Sequence, residues 1–203
     1  MALMHSQITI SRADALIAGR KGDQGHRPLY LRRVKRMEVQ KGEQLQVAGA
    51  RPTHLFHVVS GLLRAYFVDE TGKEHTYMFA PEGWTLADLE ATGFTQSTSL
   101  VIEAMEPSVV DVLPIAEHID HPDFDPLAEL KRMHRRAGVL QRRVLMMMSS
   151  SALERYEFFL ATYPELSHRV SQKLIASYLG ITPQALSMIR RRRVEGTRGS
   201  SSS

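Results

Sequence analysis

The segment over residues 172–191 constrains the fold most. Its apolar residues recur at helical spacing, and a glycine interrupts the pattern near the middle of the segment. Ile175 and Leu179 lie one turn apart, so they share one face of a helix. Ala176 is small enough to let a second helix approach closely. Gly180 follows where the chain needs a left-handed residue, a conformation that glycine adopts at little cost. This pattern predicts a helix over residues 170–179.

A second helix follows after a tight turn. Thr182 can cap it, and Pro183 suits its first position because proline has no backbone N–H to leave unpaired. Leu186 and Ile189, three residues apart, then face the first helix. A helix over 183–193 completes a helix-turn-helix, the motif that places its second helix in the major groove of DNA. A helix pair used only for packing or protein contact is the alternative.

The outer side of this motif supplies candidates for DNA contact. The predicted base-reading residues are Gln184, Ser187 and Met188, and the amide of Gln184 can pair with an adenine edge. The predicted phosphate contacts share a positive charge or a hydroxyl group and are Lys173, Thr182, Arg190 and Arg191.

The charge distribution favours the same partner. Residues 151–203 hold eight Lys and Arg against four Asp and Glu, which accounts for the whole net charge of +4. A basic C-terminal unit on a neutral body favours a polyanion such as double-stranded DNA. A solvated basic tail is the alternative.

Residues 35–113 carry the pattern of many short strands. Turn signals such as Lys41-Gly42-Glu43, Ser60-Gly61 and Glu70-Thr71-Gly72-Lys73 separate short runs of β-branched and aromatic residues. Such even spacing is typical of a small barrel, sandwich or jelly roll.

Residues 124–149 predict one long helix. Its apolar residues recur at steps of three and four, at Leu127, Leu130, Met133, Ala137, Leu140, Val144 and Met147 or Met148. The opposite side of this helix carries basic residues, among them Arg142 and Arg143. A single stripe on so long a helix favours a dimer seam, with packing on the chain's own β domain as the alternative.

The remaining C-terminal sequence predicts one more helix and a tail. The helix covers 151–163 and is ended by Pro164. Residues 196–203 are rich in Gly and Ser and are predicted to be disordered.

The absence of cysteine excludes several kinds of site. Without thiols, disulfides, thiolate-bound iron–sulfur clusters and cysteine nucleophiles cannot form. The N-terminal sequence lacks the pattern of a secretory signal and no apolar run reaches about 18 residues, so a cytoplasmic location is expected. Motifs of serine hydrolases, phosphate loops and zinc peptidases are missing too, so we do not expect an enzyme.

A jelly-roll enzyme is nevertheless the main alternative. His54 and His57 are three residues apart on a predicted strand, so they point to opposite faces and cannot share a metal ion. The cluster at 118–125 offers His and Asp ligands, but its Asp residues and Pro126 also suit a polar loop that caps the long helix. We expect no metal and no cofactor. The alternative function is a small-molecule-binding or metal-dependent jelly-roll enzyme with a helical oligomerisation domain.

In chain order, these parts resemble the Crp/Fnr family of transcription regulators over residues 35–193. The β region is similar to the family's cyclic-nucleotide-binding jelly roll at Lys41-Gly42-Glu43, Ala48-Gly49, Val58-Val59-Ser60-Gly61-Leu62-Leu63-Arg64 and Asp69-Glu70-Thr71-Gly72-Lys73-Glu74. The C-terminal part is similar at Arg155-Tyr156, Tyr163-Pro164-Glu165-Leu166, Arg169-Val170 and residues 175–183, in the style of members from Bacteroidetes.

The resemblance implies an α+β protein in three parts. These are a jelly-roll sensor domain with an N-terminal helix over 1–120, a dimerisation helix over 121–150 and a helix-turn-helix domain over 151–203. It implies regulation of transcription by a homodimer on specific DNA sites. It is compatible with RNA polymerase as a further partner, and it does not identify an effector.

The resemblance breaks down where family members bind the cyclic phosphate. Instead of a Gly-Glu pair and an arginine followed by Ser or Thr, this chain has Ala87-Asp88 and Thr98-Ser99, with no arginine between Gly83 and Ser108. A buried phosphate without a cation is hard to stabilise, so cyclic AMP is not expected to bind. The candidates for lining a pocket for another ligand are Trp84, Asp88, Thr98 and Ser99. Packing at the rim is the alternative for Trp84.

The second helix departs from the family pattern as well. Met188 stands where the family usually has an arginine that pairs with guanine. Only an apolar contact, for example to a thymine methyl group, is expected there, so the operator sequence cannot be taken from the family.

Overall fold

A computed structural model describes residues 34–115, 125–149 and 151–199. The predicted N-terminal helix and residues 118–124 of the His- and Asp-rich loop lie outside these ranges. The division at residues 120 and 150 stays a prediction.

The β region contains eight strands and one short helix within the described residues. The strands are Lys35–Val39 (β1), Gln44–Gln46 (β2), His54–Ser60 (β3), Leu63–Val68 (β4), Glu74–Ala80 (β5), Thr85–Leu86 (β6), Val101–Ala104 (β7) and Ser108–Pro114 (β8). The short helix, α1, covers Leu89–Gly93.

The strands form two antiparallel sheets, ordered β1-β8-β3-β6 and β2-β7-β4-β5. Side chains that alternate along the strands form the core. In the first sheet Val58 pairs with Val110, and in the second Ala65 pairs with Ile102; all four are fully buried. The predicted jelly-roll domain is therefore confirmed, and with the helices that follow it the chain belongs to the α+β class.

Strand β5 holds one more residue than its partner β4. Arg64 pairs with Phe79, but Tyr66, two residues later, pairs with Thr76, three residues earlier. The extra residue forms a β-bulge. Because Arg64 and Tyr66 share a face of the sheet, Thr76 and Phe79 share it too.

Gly61, between β3 and β4, allows a close approach of two backbones. Its φ is +92°, and a Cβ atom on it would lie 2.2 Å from the hydroxyl oxygen of Ser108. That hydroxyl accepts a hydrogen bond from the N–H of Leu62 at 3.1 Å. A glycine is required here for both the conformation and the space.

Five helices follow the β region. They are Pro126–Ser149 (α2), Ala152–Thr162 (α3), Leu166–Arg169 (α4), Gln172–Leu179 (α5) and Pro183–Gly199 (α6). None of the helices within the described ranges has an apolar stretch long enough to cross a membrane.

The sequence analysis missed α4 and misjudged the tail. Helix α4 is a single turn, too short for an apolar period, and is fixed by its buried Leu166. The disorder predicted from Gly196 is wrong as far as Gly199, because a helix that has started gains one hydrogen bond for each added residue.

Candidate nucleic-acid interface

Both ends of helix α5 are satisfied by its own sequence. The hydroxyl of Ser171 accepts a hydrogen bond from a backbone N–H of the first turn at 3.4 Å. Gly180 ends the helix in the left-handed conformation, at φ +66°. Ile175, Ala176 and Leu179 between them are buried. The predicted first helix is thus confirmed, two residues shorter at its start.

Helix α6 begins as predicted. The hydroxyl oxygen of Thr182 accepts a hydrogen bond from the N–H of Ala185 at 3.2 Å, and Pro183 is the first helical residue. Leu186 is fully buried and Ile189 partly buried against the core. The two helices therefore have the predicted helix-turn-helix geometry.

The candidate DNA-contacting residues lie together on the outer side of this pair. The exposed ones are Lys173, Thr182, Gln184, Ser187, Met188 and Arg191, whereas Arg190 is half-buried. Residues at positions i, i+3, i+4 and i+7 share a helix face, so the four exposed candidates of α6 form one surface. Met188 lies at its centre and is 58% exposed. The roles of these residues stay predictions.

A different side of α5 docks on the free edge of β5. The Oγ of Ser177 accepts a hydrogen bond from the N–H of Thr76 at 2.9 Å and donates one to the carbonyl oxygen of Glu74 at 2.9 Å. Strand β5 is the outermost strand of its sheet. One hydroxyl thus satisfies a donor and an acceptor of an exposed strand edge, which blocks pairing with another strand.

Arg143 of α2 extends this cover over the same edge. Its guanidinium donates hydrogen bonds to the carbonyl oxygens of Tyr77, Thr76 and Tyr178. It also lies 4.1 Å from the centre of the Tyr178 ring, a cation–π contact. Arg143, on the side of α2 opposite the apolar stripe, thus contacts the β domain, because a guanidinium can stack on a ring while it binds carbonyls.

Arg169 of α4 joins the helices to the β domain through ionic contacts. It donates two hydrogen bonds of 2.9 Å to the carboxylate of Glu82 and one of 2.5 Å to Glu106. The hydrogen bond to Glu82 raises the pKa of the Arg169 guanidinium above its ordinary value. Burial raises the pKa of Glu82, but the hydrogen bonds and charge of Arg169 outweigh it, so the pKa of Glu82 is lowered.

Aromatic rings fill the space between the β domain and the helices. Phe79 of β5 lies 6.4 Å from Phe159, 6.0 Å from Tyr163 and 5.9 Å from Tyr178, measured between ring centres. Trp84 lies 5.4 Å from Tyr163. Burial raises the pKa of Tyr163 well above its ordinary value. The structure thus places Trp84 in the contact between domains, in agreement with the packing alternative.

Two of the other pocket candidates contact each other. Asp88 is buried, and its carboxylate accepts hydrogen bonds from the N–H of Ala91 and from the hydroxyl of Thr98. The amide of Gln46 donates to the same hydroxyl oxygen at 3.1 Å. Ser99 is exposed. Asp88 and Thr98 therefore hold α1 against the loop before β7, and a pocket for another ligand stays a prediction.

The histidines considered for a metal site bond to threonine instead. His54 Nδ1 lies 2.8 Å from the hydroxyl of Thr53, and His57 Nδ1 lies 3.1 Å from that of Thr85. The described residues contain no group of three potential metal ligands.

The sequence did not predict the contacts that Ser177 and Arg169 make with the β domain. Each is a polar residue on a short helix, which is ordinary for a solvated face. Their partners, Thr76 and Glu82, lie 101 and 87 positions away in the chain. The only signal was the density of aromatic residues over 156–178, which indicates a buried face.

Solved structures share this arrangement of jelly roll, long helix and helix-turn-helix. FixK2 from Bradyrhizobium japonicum has a TM-score of 0.65 at 20% identity, over 80% of this chain and 86% of FixK2. CLP, a c-di-GMP-responsive global regulator of Xanthomonas campestris, has a TM-score of 0.62 at 13% identity, over 82% of this chain and 90% of CLP. A CooA mutant from Carboxydothermus hydrogenoformans has a TM-score of 0.59 at 20% identity, over 81% and 78%.

The chain has the Crp/Fnr fold. The resemblance first noted in the sequence is thereby supported by the architecture of the described residues. No protein-family model and no curated protein matches this sequence.

The Crp/Fnr fold implies a cyclic-nucleotide site, and the residues of this chain do not fit one. Thr98 stands where family members have the arginine that pairs with the phosphate, and its hydroxyl donates a hydrogen bond to the carboxylate of Asp88. The sequence offers no arginine from residue 84 to 107 that could take over this role. A buried phosphate in such a site would have no cation to pair with.

Proposed function

We propose that this protein is a sequence-specific DNA-binding regulator of transcription that acts as a homodimer. The observation that carries the proposal is the exposed face of α6, where Gln184, Ser187, Met188 and Arg191 lie beside a correctly capped helix start. A helix-turn-helix uses this part of its second helix to read the major groove. DNA as the partner implies a cytoplasmic location. No residue is assigned a catalytic role.

The docking of α5 supports DNA binding because it leaves the reading face open. Ser177, which contacts β5, lies within α5, whereas Lys173 at its start and the candidates of α6 are exposed. DNA can therefore approach the motif while the helices stay docked on the β domain.

The long helix supports a homodimer. Along α2, Leu130, Met133, Val144 and Met148 are each about half exposed or more. They recur at helical spacing and form an apolar stripe without a cover among the described residues, which a second copy of α2 would bury. A two-fold dimer would then present two copies of α6 about 34 Å apart, one turn of DNA.

We assign the contacts by chemistry. Gln184 reads an adenine edge, Ser187 makes a further polar contact and Met188 packs on a thymine methyl group. The phosphate contacts come from residues with an exposed cation or hydroxyl, namely Lys173, Thr182, Arg190 and Arg191. Any control by a ligand or partner at the β domain does not use cyclic AMP, because residues 84–107 supply no arginine to pair with its phosphate.

The first experiment measures DNA binding by fluorescence anisotropy. The probes are DNA from upstream of the protein's own gene and the sites recovered by selection from a random library, with unrelated DNA as competitor. Binding to selected sites that survives the competitor is expected without added nucleotide. The same affinity for all sequences, or none at low salt, would contradict the proposal.

Two substitutions separate base reading from phosphate contact. Gln184→Ala should cost about 1–3 kcal/mol on the selected site and relax the preference at one base pair. Arg191→Ala should weaken all sequences alike and reduce the salt dependence by about one unit for each half-site. Gln40→Ala and Arg51→Ala, at exposed positions of the β domain, are the matched controls and should change neither quantity.

The dimer has its own test. Met133→Glu places a charge in the apolar stripe of α2 and should convert the protein to a monomer in sedimentation analysis. Lys131→Glu, two residues away on the other side of the helix, should leave the dimer intact. A wild-type monomer at micromolar concentration would contradict the homodimer while leaving the DNA-binding result to stand alone.

A further inference from the structure

Met147 lies at the junction between the long helix and the helix-turn-helix. Its sulfur atom is 3.9 Å from Nη1 of Arg155 in α3. Its methyl carbon lies 3.1 Å from the place that a Cβ atom would take on Gly180. Met147 therefore faces its own chain, whereas its neighbour Met148 is 79% exposed on the side of the apolar stripe. Met148, not Met147, continues that stripe.

Arg155 has an unused hydrogen-bond donor beside this sulfur. Its Nε is buried and has no hydrogen-bond partner within residues 34–115, 125–149 and 151–199. Thioether sulfur is only a weak acceptor, so the contact between Nη1 and Met147 satisfies the guanidinium poorly. A buried donor without a good acceptor is costly, and most are paired in folded proteins.

A small cavity adjoins both groups. Its volume is about 10 Å³, and Arg143, Met147, Arg155 and Tyr178 are among the residues that line it. Space of this size holds about one water molecule, or one oxygen atom bonded to a neighbouring side chain. Met147 is also 45% exposed, so a small oxidant can reach it.

We propose that Met147 is a site of reversible oxidation whose sulfoxide oxygen is bound by the guanidinium of Arg155. The oxidant is a peroxide: its O–O bond breaks, an S–O bond forms on Met147, the sulfur loses two electrons and hydrogen peroxide is reduced to water. The new oxygen is a strong acceptor, and its hydrogen bond from Arg155 is charge-assisted. The weak N–H···S contact thereby becomes an N–H···O bond.

The proposal has a structural consequence that does not depend on DNA binding. The bond would join α2 to α3 at a point where Met147 also packs on Gly180, the turn of the helix-turn-helix. Oxidation would therefore tighten the link between the long helix and the DNA-binding unit. Sulfoxide formation elsewhere in a core usually loosens packing, so the effect at Met147 is distinct.

The test compares the effect of oxidation with and without each member of the pair. All proteins carry Met148→Leu, and the four compared are this parent, Met147→Leu, Arg155→Lys and the combination. Each full-length protein is melted before and after hydrogen peroxide. The tryptic peptide over 144–155 is sequenced by mass spectrometry to locate the added oxygen.

The expected result is coupling between oxidation and Arg155. For each protein, the shift on oxidation is the melting temperature of the oxidised form minus that of the reduced form. Where Met147 is present, this shift should be about 2–4 °C lower with Arg155→Lys than with Arg155. Where Leu replaces Met147, the shift caused by peroxide should be the same with Arg155 or Lys. Methionine sulfoxide reductase should reverse the difference.

Two results would overturn the proposal. One is a Met147 that stays reduced at a peroxide dose that oxidises Met188, which is 58% exposed. The other is a peroxide shift that does not depend on Arg155.

A second double-mutant cycle, between positions 147 and 155, needs no oxidant. Met147→Gln supplies an amide oxygen at a similar reach, so Arg155→Lys should lower its melting temperature by about 2 °C more than it lowers that of Met147→Leu. If Arg155→Lys lowers the melting temperature equally in the Met147→Gln and Met147→Leu proteins, the proposal is contradicted.

Discussion

Replacing Phe79 by alanine tests whether the helices and the β domain fold as one unit. Phe79 belongs to β5 and is fully buried, but its three ring partners lie in the C-terminal part: Phe159 in α3, Tyr163 directly after α3, and Tyr178 in α5. Removal of a buried phenyl group costs about 3–5 kcal/mol, and the loss of three ring contacts places Phe79 in the upper half of that range. For a chain of this size each kcal/mol lowers the melting temperature by about 2–4 °C, so we expect a fall of about 8–20 °C.

The assay follows the same melt by two signals. Far-UV circular dichroism reports all helices and strands, and the fluorescence of Trp84, the single tryptophan of the chain, reports the contact with Tyr163. In the wild type both signals should change in one transition. Phe94→Ala is the control, because Phe94 is 76% exposed and its loss should cost less than about 1 kcal/mol.

Either of two outcomes would refute the reasoning. The first is a melting temperature of Phe79→Ala within about 4 °C of the wild type, or equal to that of Phe94→Ala. The second is a wild type in which circular dichroism and Trp84 fluorescence report separate transitions, because the two domains would then be only tethered.

Three further predictions follow from contacts described above. Gly61→Ala should destabilise the protein by more than about 1 kcal/mol in a denaturant titration, because the added methyl group meets Ser108 at a strained φ; a loss below that would show that the loop can relax. The lowered pKa of Glu82 means that its pairing with Arg169 stabilises the protein above the ordinary glutamate pKa of 4.5 and less as pH falls below it. The difference in melting temperature between wild type and Glu82→Gln should therefore narrow from pH 7 towards pH 3. A difference that does not change with pH would show that the ionic pair of Glu82 and Arg169 does not stabilise the protein. Cyclic AMP should leave the melting temperature unchanged, since no arginine between Gly83 and Ser108 is present to pair with its phosphate. A true ligand at 100 times its dissociation constant would instead add about 2.7 kcal/mol.

The helix-turn-helix could be predicted residue by residue because every rule it obeys is local. Gly180, Thr182 and Pro183 act on neighbours within a few positions, and the burial of Ala176 and Leu186 follows from helical spacing. The jelly roll could be predicted as a class for the same reason, since turns and short strands are local signals. The pairing of its strands is not local and could not be derived in this way.

The docking of the helices could not be predicted because it depends on distant partners. Ser177 looks like an ordinary surface residue until Thr76 is placed beside it. The contacts of Arg143 could not be predicted from helical periodicity, which treats every charged side chain as polar, although a guanidinium also stacks on rings. Trp84 was considered for ligand stacking because its true neighbour, Tyr163, lies on the other domain.

The bulge in β5 decides which side chains of this strand share a face of the sheet. In a regular strand, residues three apart point to opposite faces, yet Thr76 and Phe79 share one face because of the extra residue between them. Deleting Tyr77 would remove that extra residue, so Thr76 and Phe79 would then be two residues apart and would still share the face. Relatives that dock their helices in this way can therefore lack one residue at this point of β5 without a change of face. A relative that lacks two residues there would place its counterparts of Thr76 and Phe79 on opposite faces, which would mark a helical unit that is held by other contacts.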